Sequence, residues 1–272
     1  MLFDAVPARS FRRITSRHNA HVARYRAAAL GDVNDRLLLD GLHLVAEALA
    51  AAIPLEHATV VSTALDRAEI RTLMDELEKA GVDVAVATPQ VMAAMSPVRS
   101  ASSIAALAHR PVPDAKRLYA GTAPLVIIAS DVQDPGNLGA IVRVAEAGSA
   151  TSVIAAGACA DPFGWKALRG SSGSALRLPI GIATDVPSAM VEARREGCRT
   201  IATLPRGGRS LFEIDFRGGA AVLIGGEGPG LATAHVDQAD ERVTIPMHSP
   251  VESLNAAVAA AIIVYEALRQ RA

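Results

Sequence analysis

Several things are scarce in this 272-residue chain, and each scarcity excludes something. Cysteine occurs only as Cys159 and Cys198, far apart and outside any C-x-x-C spacing. That removes a disulfide framework and a cysteine-based zinc centre, leaves no metal to expect, and suits the cytoplasm. Aromatic residues make up 3% of the chain against 50% apolar residues in all, so the core is built from Ala, Val, Leu and Ile. Long hydrophobic runs are missing too. The longest, "AAVAAAIIVY" (Ala256 to Tyr265), falls short of the roughly 20 residues a bilayer-spanning helix needs, so no membrane association is expected. The opening "MLFDAVPARSFRRITSRH" has no apolar segment of the kind a secretory leader carries. A net charge of −1 argues against indiscriminate nucleic-acid binding.

What is present is local. The first thirty residues hold Arg9, Arg12, Arg13, Arg17, Arg24 and Arg26 against the single acid Asp4, a run suited either to RNA phosphates or to plain solvent exposure. Beyond it, short β-rich runs alternate with helical stretches: "RLLLDG", "HATVVS", "VDVAVA" and "SIAALAH" as strands, with "HVARYRAAAL", "LHLVAEALAAA" and "RTLMDELEKAG" as helices. "RPVPDAKRLYAGTAP" breaks the rhythm with three prolines. "LVIIAS" then restarts it as a strand buried on both faces. The alternation predicts mostly parallel α/β sheets with helices on both faces. It divides the chain into a smaller α/β domain over 1–108, a linker over 109–121 and a larger domain over 122–272.

In doubly wound sheets ligands sit beyond the carboxyl ends of the strands, and three loops of the second domain stand there. In "DVQDPGNLGAIVRVAEAG", Asn137 reads as a helix cap ahead of the apolar stripe Leu138, Ile141 and Ala145. Arg143 lies about 200° around that helix from Ile141, taking roughly 100° per residue, and points away from the stripe. "LIGGEGPGL" (Leu223 to Leu231) has the glycine density of a phosphate loop but neither accepted spacing. Glu227 would repel a phosphate, so the loop expects a neutral or cationic guest, or a hydroxyl to hold. "IPMHSPVESLNAAVAAAIIVYEA" leads into a helix apolar on nearly every side, with Leu254, Val258, Ala261, Ile262, Tyr265 and Leu268 on one face. Such a helix is buried, in a core or between subunits. Its cap is either Ser249, in a capping box with Glu252, or Ser253.

Taken in order, the three loops resemble the three motifs of the SpoU (TrmH-like) branch of the SPOUT RNA methyltransferases. "DPFGWKALRGSSGSALRLPI" between them resembles the family's Arg-x-Ser-x-Gly segment through Arg169, Ser171 and Gly173. The likeness runs from about Pro124 to Arg269. More loosely, the amino-terminal part resembles a ribosomal-protein-like substrate-binding domain. Ser249 stands where relatives often carry glycine.

The resemblance implies a trefoil knot in the catalytic domain, a homodimer, and S-adenosylmethionine as cofactor. The implied reaction moves a methyl group to a ribose 2′-hydroxyl of RNA, ribosomal RNA before transfer RNA. It places Arg143 at the centre of catalysis with Asn137, Glu227, Ser253 and Asn255 around it. The cofactor would lie against Leu204, Gly225, Gly226, Gly228, Ile245, Met247, Leu254 and Asn255, and RNA against Arg17, Arg143, Arg169 and Ser171. Arginine keeps its proton below a pH of about 12, so a phosphate clamp suits Arg143 better than a general base. A nicotinamide-dependent oxidoreductase would need a glycine fingerprint early in a βαβ unit, which is missing. A catalytically inactive RNA-binding relative would show erosion at the motif residues, and none is eroded.

Overall fold

The structure, a computed structural model, describes residues 11–98 and 100–272, so Asp4 and Arg9 of the basic run lie outside the described residues. The chain divides into two compact units, with the boundary between Arg110 and Pro111.

The first unit runs β1 (Arg12–Ile14), α1 (Ala20–Leu30), β2 (Arg36–Asp40), α2 (Leu42–Ala50), β3 (Leu55–Val61), α3 (Ala68–Lys79), β4 (Asp83–Ala87), α4 (Pro89–Met95) and β5 (Ile104–His109). Its sheet has the order β1-β4-β3-β5-β2. β1, β4 and β3 are parallel, whereas β5 runs antiparallel to both β3 and β2. The sheet is therefore mixed. Apolar runs such as "IAALA" report burial on both faces but not strand direction, which depends on how each connection crosses the sheet. "RRI" in the basic run is an edge strand: it places Ile14 in the core while Arg12 and Arg13 stay exposed.

Beneath α1 lies a buried polar network. Arg12 Nη2 lies 2.8 Å from His57 Nε2. A guanidinium can only donate, which assigns the lone pair to Nε2 and the proton to Nδ1. Nδ1 then donates to the Tyr25 hydroxyl at 2.9 Å, which also accepts from Thr59 Oγ1 at 3.2 Å. His57 is 2% exposed, and its ring stacks on His21 with centroids 4.6 Å apart. Burial first, then the neighbouring His21 ring and the cations of Arg12 and Arg24, push the His57 imidazole down to about 4, against a smaller opposing pull from Asp83.

The second unit runs α5 (Ala115–Leu118), β6 (Leu125–Ser130), α6 (Pro135–Ala147), β7 (Ser152–Ala156), α7 (Trp165–Ser171), β8 (Ile180–Ala183), α8 (Val186–Arg195), β9 (Arg199–Leu204), β10 (Arg209–Ser210), β11 (Ala220–Gly225), α9 (Thr233–Gln238), β12 (Glu241–Thr244) and α10 (Ala256–Arg271). Its seven strands lie in the order β10-β12-β9-β11-β6-β7-β8, every neighbouring pair parallel. α8 covers one face through Val186, Ala189, Met190 and Ala193 against Val126, Ile128 and Leu223. α6 and α10 pack against each other. Part of the proline-rich segment is ordered as α5, whose Leu118 carbonyl accepts from Ser152 Oγ at 2.7 Å. Strands after β8 are added on the other side of β6, where β11 pairs with it in register, from Ala220↔Leu125 to Gly225↔Ser130. That pairing brings the glycine-dense loop alongside the β6–α6 loop. Among the described residues no helix is long and apolar enough to cross a membrane.

His57 makes the stability of the first unit depend on pH. Its folded-state pKa is lowered, so the unfolded chain binds the proton more readily, and the contribution is present above about pH 6.5 and lost as pH falls towards 4. The loss amounts to about 3 kcal/mol. Urea unfolding at pH 7 and pH 4.5 should show it, and a His57→Gln variant should show a smaller difference between the two.

Candidate active site

Beyond the carboxyl ends of β9, β11 and β12 lies a cleft of about 390 Å³ lined by the second and third motif loops and by the loop after β9, and the first motif loop joins its edge through Asn137. That volume falls in the range of about 300–1,000 Å³ usual for small-molecule sites. All eight residues expected to hold a cofactor line it: Leu204, Gly225, Gly226, Gly228, Ile245, Met247, Leu254 and Asn255. Glu227 and Ser253 line it too. The walls combine aliphatic side chains with exposed backbone and the polar Thr203, Ser253 and Asn255, and among the described lining residues Glu227 is the only one with an ionisable side chain.

Asn137 ties the site together, by a different route from the one its sequence position predicted. α6 starts earlier than expected. Asp134 is its cap, accepting from the Asn137 amide at 2.7 Å, and Pro135 opens the helix. The Asn137 side chain is thereby released from capping and turns to the other motifs. Its Nδ2 donates to Glu227 Oε1, and its Oδ1 accepts from Asn255 Nδ2 at 2.9 Å. The last helix also begins later than expected, at Ala256, and its cap is Asn255 instead of Ser249 or Ser253. Asn255 Oδ1 accepts from the amides of Ala257 at 2.9 Å and Val258 at 3.3 Å. A donor chain thus runs from the start of α10 through two asparagines to the glutamate. Ser253, free of capping, makes no hydrogen bond among the described residues.

The glycines have a reason of their own. A Cβ on Gly226 would stand 2.2 Å from the Asp131 carbonyl oxygen, and one on Gly225 would stand 2.6 Å from the Gly230 carbonyl carbon. Gly228 and Gly230 take φ of +89° and +67°, which side chains disfavour. The expectation that these glycines admit a ligand meets a nearer cause: they let one backbone press against another and let the loop turn. Ser249, where relatives often have glycine, has no positive φ, so a serine fits its backbone.

Other expected residues lie elsewhere. Arg143 is exposed on α6, does not line the cleft, and makes no hydrogen bond or ion pair among the described residues. Arg169 is exposed on α7. Ser171 is corrected from an RNA contact to a structural residue. It is 0% exposed, and its hydroxyl donates to the Leu168 carbonyl at 3.0 Å and accepts from the Ala175 amide at 3.4 Å. Arg17, in the first unit, is exposed between β1 and α1. Sequence reasoning missed Asp131. With φ of +55°, it accepts from the Ala158 amide at 2.8 Å while its carbonyl abuts Gly226. No spacing rule marks such a residue. Asp134, by contrast, carried a legible Asp-Pro helix start.

Because the obstacle at Gly226 is backbone, Gly226→Ala should destabilise the protein by about 1–3 kcal/mol. Gly218→Ala, where a Cβ meets nothing within 4 Å, should leave the urea midpoint within about 0.5 kcal/mol of wild type or raise it.

Known proteins share both the sequence and this architecture. The SpoU rRNA Methylase family matches residues 124–265, more than half of the chain. The 23S rRNA (guanosine(2553)-2'-O)-methyltransferase RlmP of Bacillus subtilis is 33% identical over 228 residues, 84% of this chain and 86% of its own length. The 23S rRNA (uridine(2479)-2'-O)-methyltransferase of Streptomyces viridochromogenes is 34% identical over 278 residues, 96% of this chain and 93% of its own. The crystal structure of the SpoU methyltransferase AviRb from Streptomyces viridochromogenes, in complex with AdoMet, matches with a TM-score of 0.81 at 28% identity, covering 93% of this chain and 98% of that one. With the three motif loops tied together at Asn137 and a family match that spans them, the chain belongs to the SpoU methylase family.

Proposed function

We propose that the protein transfers a methyl group from S-adenosylmethionine to a ribose 2′-hydroxyl of ribosomal RNA in the cytoplasm. The observation that carries this reading is the Asn137 junction with Glu227 and Asn255 at the edge of the cleft. The lining fits the cofactor: aliphatic side chains for its non-polar surface, open backbone groups at the strand ends, and one carboxylate that pairs with no cation among the described residues. A phosphate-bearing cofactor would be repelled there, whereas a sulfonium is accepted. When bound, S-adenosylmethionine supplies an already activated methyl group, so the protein's task is orientation and proton removal.

Leu204, Ile245, Met247 and Leu254 hold the cofactor, with the Gly225–Gly228 backbone closing over it. Asn137, Ser253 and Asn255 form the polar rim facing the ribose. Arg143 clamps a phosphate and stabilises charge developing on oxygen. It carries no competing partner, and RNA or a second copy of the chain brings it to the reacting oxygen. Arg169 extends the RNA surface, and the first unit, with Arg17, binds substrate as a ribosomal-protein-like domain. The relatives from Bacillus and Streptomyces are named for a guanosine and a uridine, so the shared framework leaves base choice to the RNA-binding surfaces.

The active form is a homodimer with a trefoil knot in each catalytic domain. The dimer reading rests on the Val258, Ala261, Ile262, Tyr265 and Leu268 face of α10, Leu254 of the expected stripe lying before the helix. Val258 is 47% and Tyr265 52% exposed, while the opposite face, with Ala260, Ile263 and Val264, is buried. An exposed apolar stripe of this kind marks an association surface. The knot reading rests on β11 lying between β9 and β6, on Gly226 wedged against Asp131, and on α10 returning beside α6.

Two measurements test this. Incubation with tritiated S-adenosylmethionine and purified ribosomal or transfer RNA should label ribosomal RNA at a site resistant to alkaline cleavage. Arg143→Ala should lower that labelling at least about 100-fold with cofactor affinity changed no more than a few-fold. In sedimentation, the wild type should run as a dimer and a Val258→Arg, Tyr265→Arg double variant as a folded monomer.

A further inference from the structure

We infer that Phe212 and Arg206 form a platform for single-stranded RNA beside the cleft, Phe212 stacking on an unpaired base and Arg206 holding a neighbouring phosphate. This deepens the methyl-transfer reading above and rests on it for the identity of the guest.

Placement comes first. Pro205 lines the cleft, and Arg206 is the next residue. The connection that carries it from β9 to β10 lies against β12. A Cβ on Gly208 would stand 2.7 Å from the Val243 carbonyl carbon, and the Gly208 amide donates to Thr244 Oγ1 at 2.9 Å. β10 then pairs parallel with β12, Ser210 opposite Thr244. The short turn Leu211–Glu213 therefore begins level with the point where β12 leaves the sheet for the cleft-lining Ile245 and Met247. An RNA strand whose ribose enters the cleft continues over its rim, and Arg206 and Phe212 stand on the rim at the β10 edge.

A single exposed apolar side chain is ordinary on a protein surface. Phe212 differs in how it is held. It is 68% exposed between Leu211 and Ile214, which are buried. Arg209 Nη2 donates to the Glu213 carbonyl at 2.7 Å, Gln270 Nε2 to the Ile214 carbonyl at 2.8 Å, and Arg199 Nη2 to the Asp215 carbonyl. The turn is thus tied to β9, β10 and α10, and an anchored backbone keeps the ring in the open. In a chain poor in aromatics, the other described one so exposed is Tyr265, on the outer face of α10. A ring fixed in advance loses little freedom on binding, and any base offers it a π-face.

Charge selects the guest. Glu241 is shared by Arg199 and Arg209, Asp215 pairs with Arg217, and Asp237 pairs with Arg242. Glu213 has no ion pair among the described residues. Arg206 is exposed and makes no hydrogen bond or ion pair among them either. A second copy of the chain could also cover an apolar ring, but an uncommitted guanidinium beside it favours a polyanion that carries flat bases. Bases inside a duplex keep their faces in the stack, so the platform assigns the substrate to a loop, bulge or end of the RNA.

The test measures binding of ribosomal RNA fragments by fluorescence anisotropy, both single-stranded and annealed to their complements. Calorimetry gives cofactor affinity and sedimentation gives the subunit state. The wild type should prefer the single strands. Phe212→Ala should weaken single-strand binding about 5- to 100-fold. It should raise KM for RNA with kcat and S-adenosylmethionine affinity kept within about threefold. Phe212→Trp should restore binding, and Phe212→Leu should not. Arg206→Gln should weaken binding and lower the salt slope by about one. Unchanged RNA affinity in Phe212→Ala, full rescue by leucine, no preference for single strands, or a changed subunit state in Phe212→Ala would overturn the platform. Anisotropy needs no turnover, so a wild type that binds RNA and cofactor but transfers no methyl group would overturn the methyl-transfer reading alone.

Discussion

The site depends on one carboxamide. Asn137 hydrogen-bonds side chains of both later motif loops, giving its amide hydrogen to Glu227 and its oxygen to Asn255. It can do so because Asp134 and Pro135 take over the start of α6 and leave it free. A carboxamide suits the post: it offers a donor and an acceptor on one rigid plane, so two loops far apart in sequence are fixed relative to each other. A carboxylate there would lack the donor for Glu227, and an ammonium would lack the acceptor for Asn255.

Around that clasp the fold provides nearness and the glycines provide contact. Parallel pairing of β11 with β6 sets Gly225 beside Ser130, and the next residue presses its α-carbon against the Asp131 carbonyl. Asp131 holds a left-handed backbone conformation that costs a non-glycine residue of the order of 1 kcal/mol. Its carboxylate recovers part of that through the Ala158 amide. The result is a cleft lined by main chain, aliphatic side chains and a few neutral polar ones, whose only ionisable lining side chain among the described residues is Glu227. Such a lining discriminates by charge before it discriminates by shape.

α10 serves two surfaces. Its buried face, with Ala260, Ile263 and Val264, packs within the unit, and its first amides orient Asn255. The other face keeps Val258 and Tyr265 in the open. The sequence shows apolar residues all round this helix without saying which side meets its own chain, because hydrophobic periodicity is blind to the identity of the covering surface.

Composition and pattern alone determined the α/β class and the break near residue 110. Motif order alone marked the eight residues that line the cleft. Tertiary structure decided the rest. It moved the caps to Asp134 and Asn255, buried Ser171, made the first sheet mixed, left Arg143 off the cleft and brought in Asp131. Each of these depends on which distant backbone lies opposite a residue. Local propensity and spacing carry no term for that, since a cap, a hydrogen-bond partner or a steric wedge is set by strand register and crossover path.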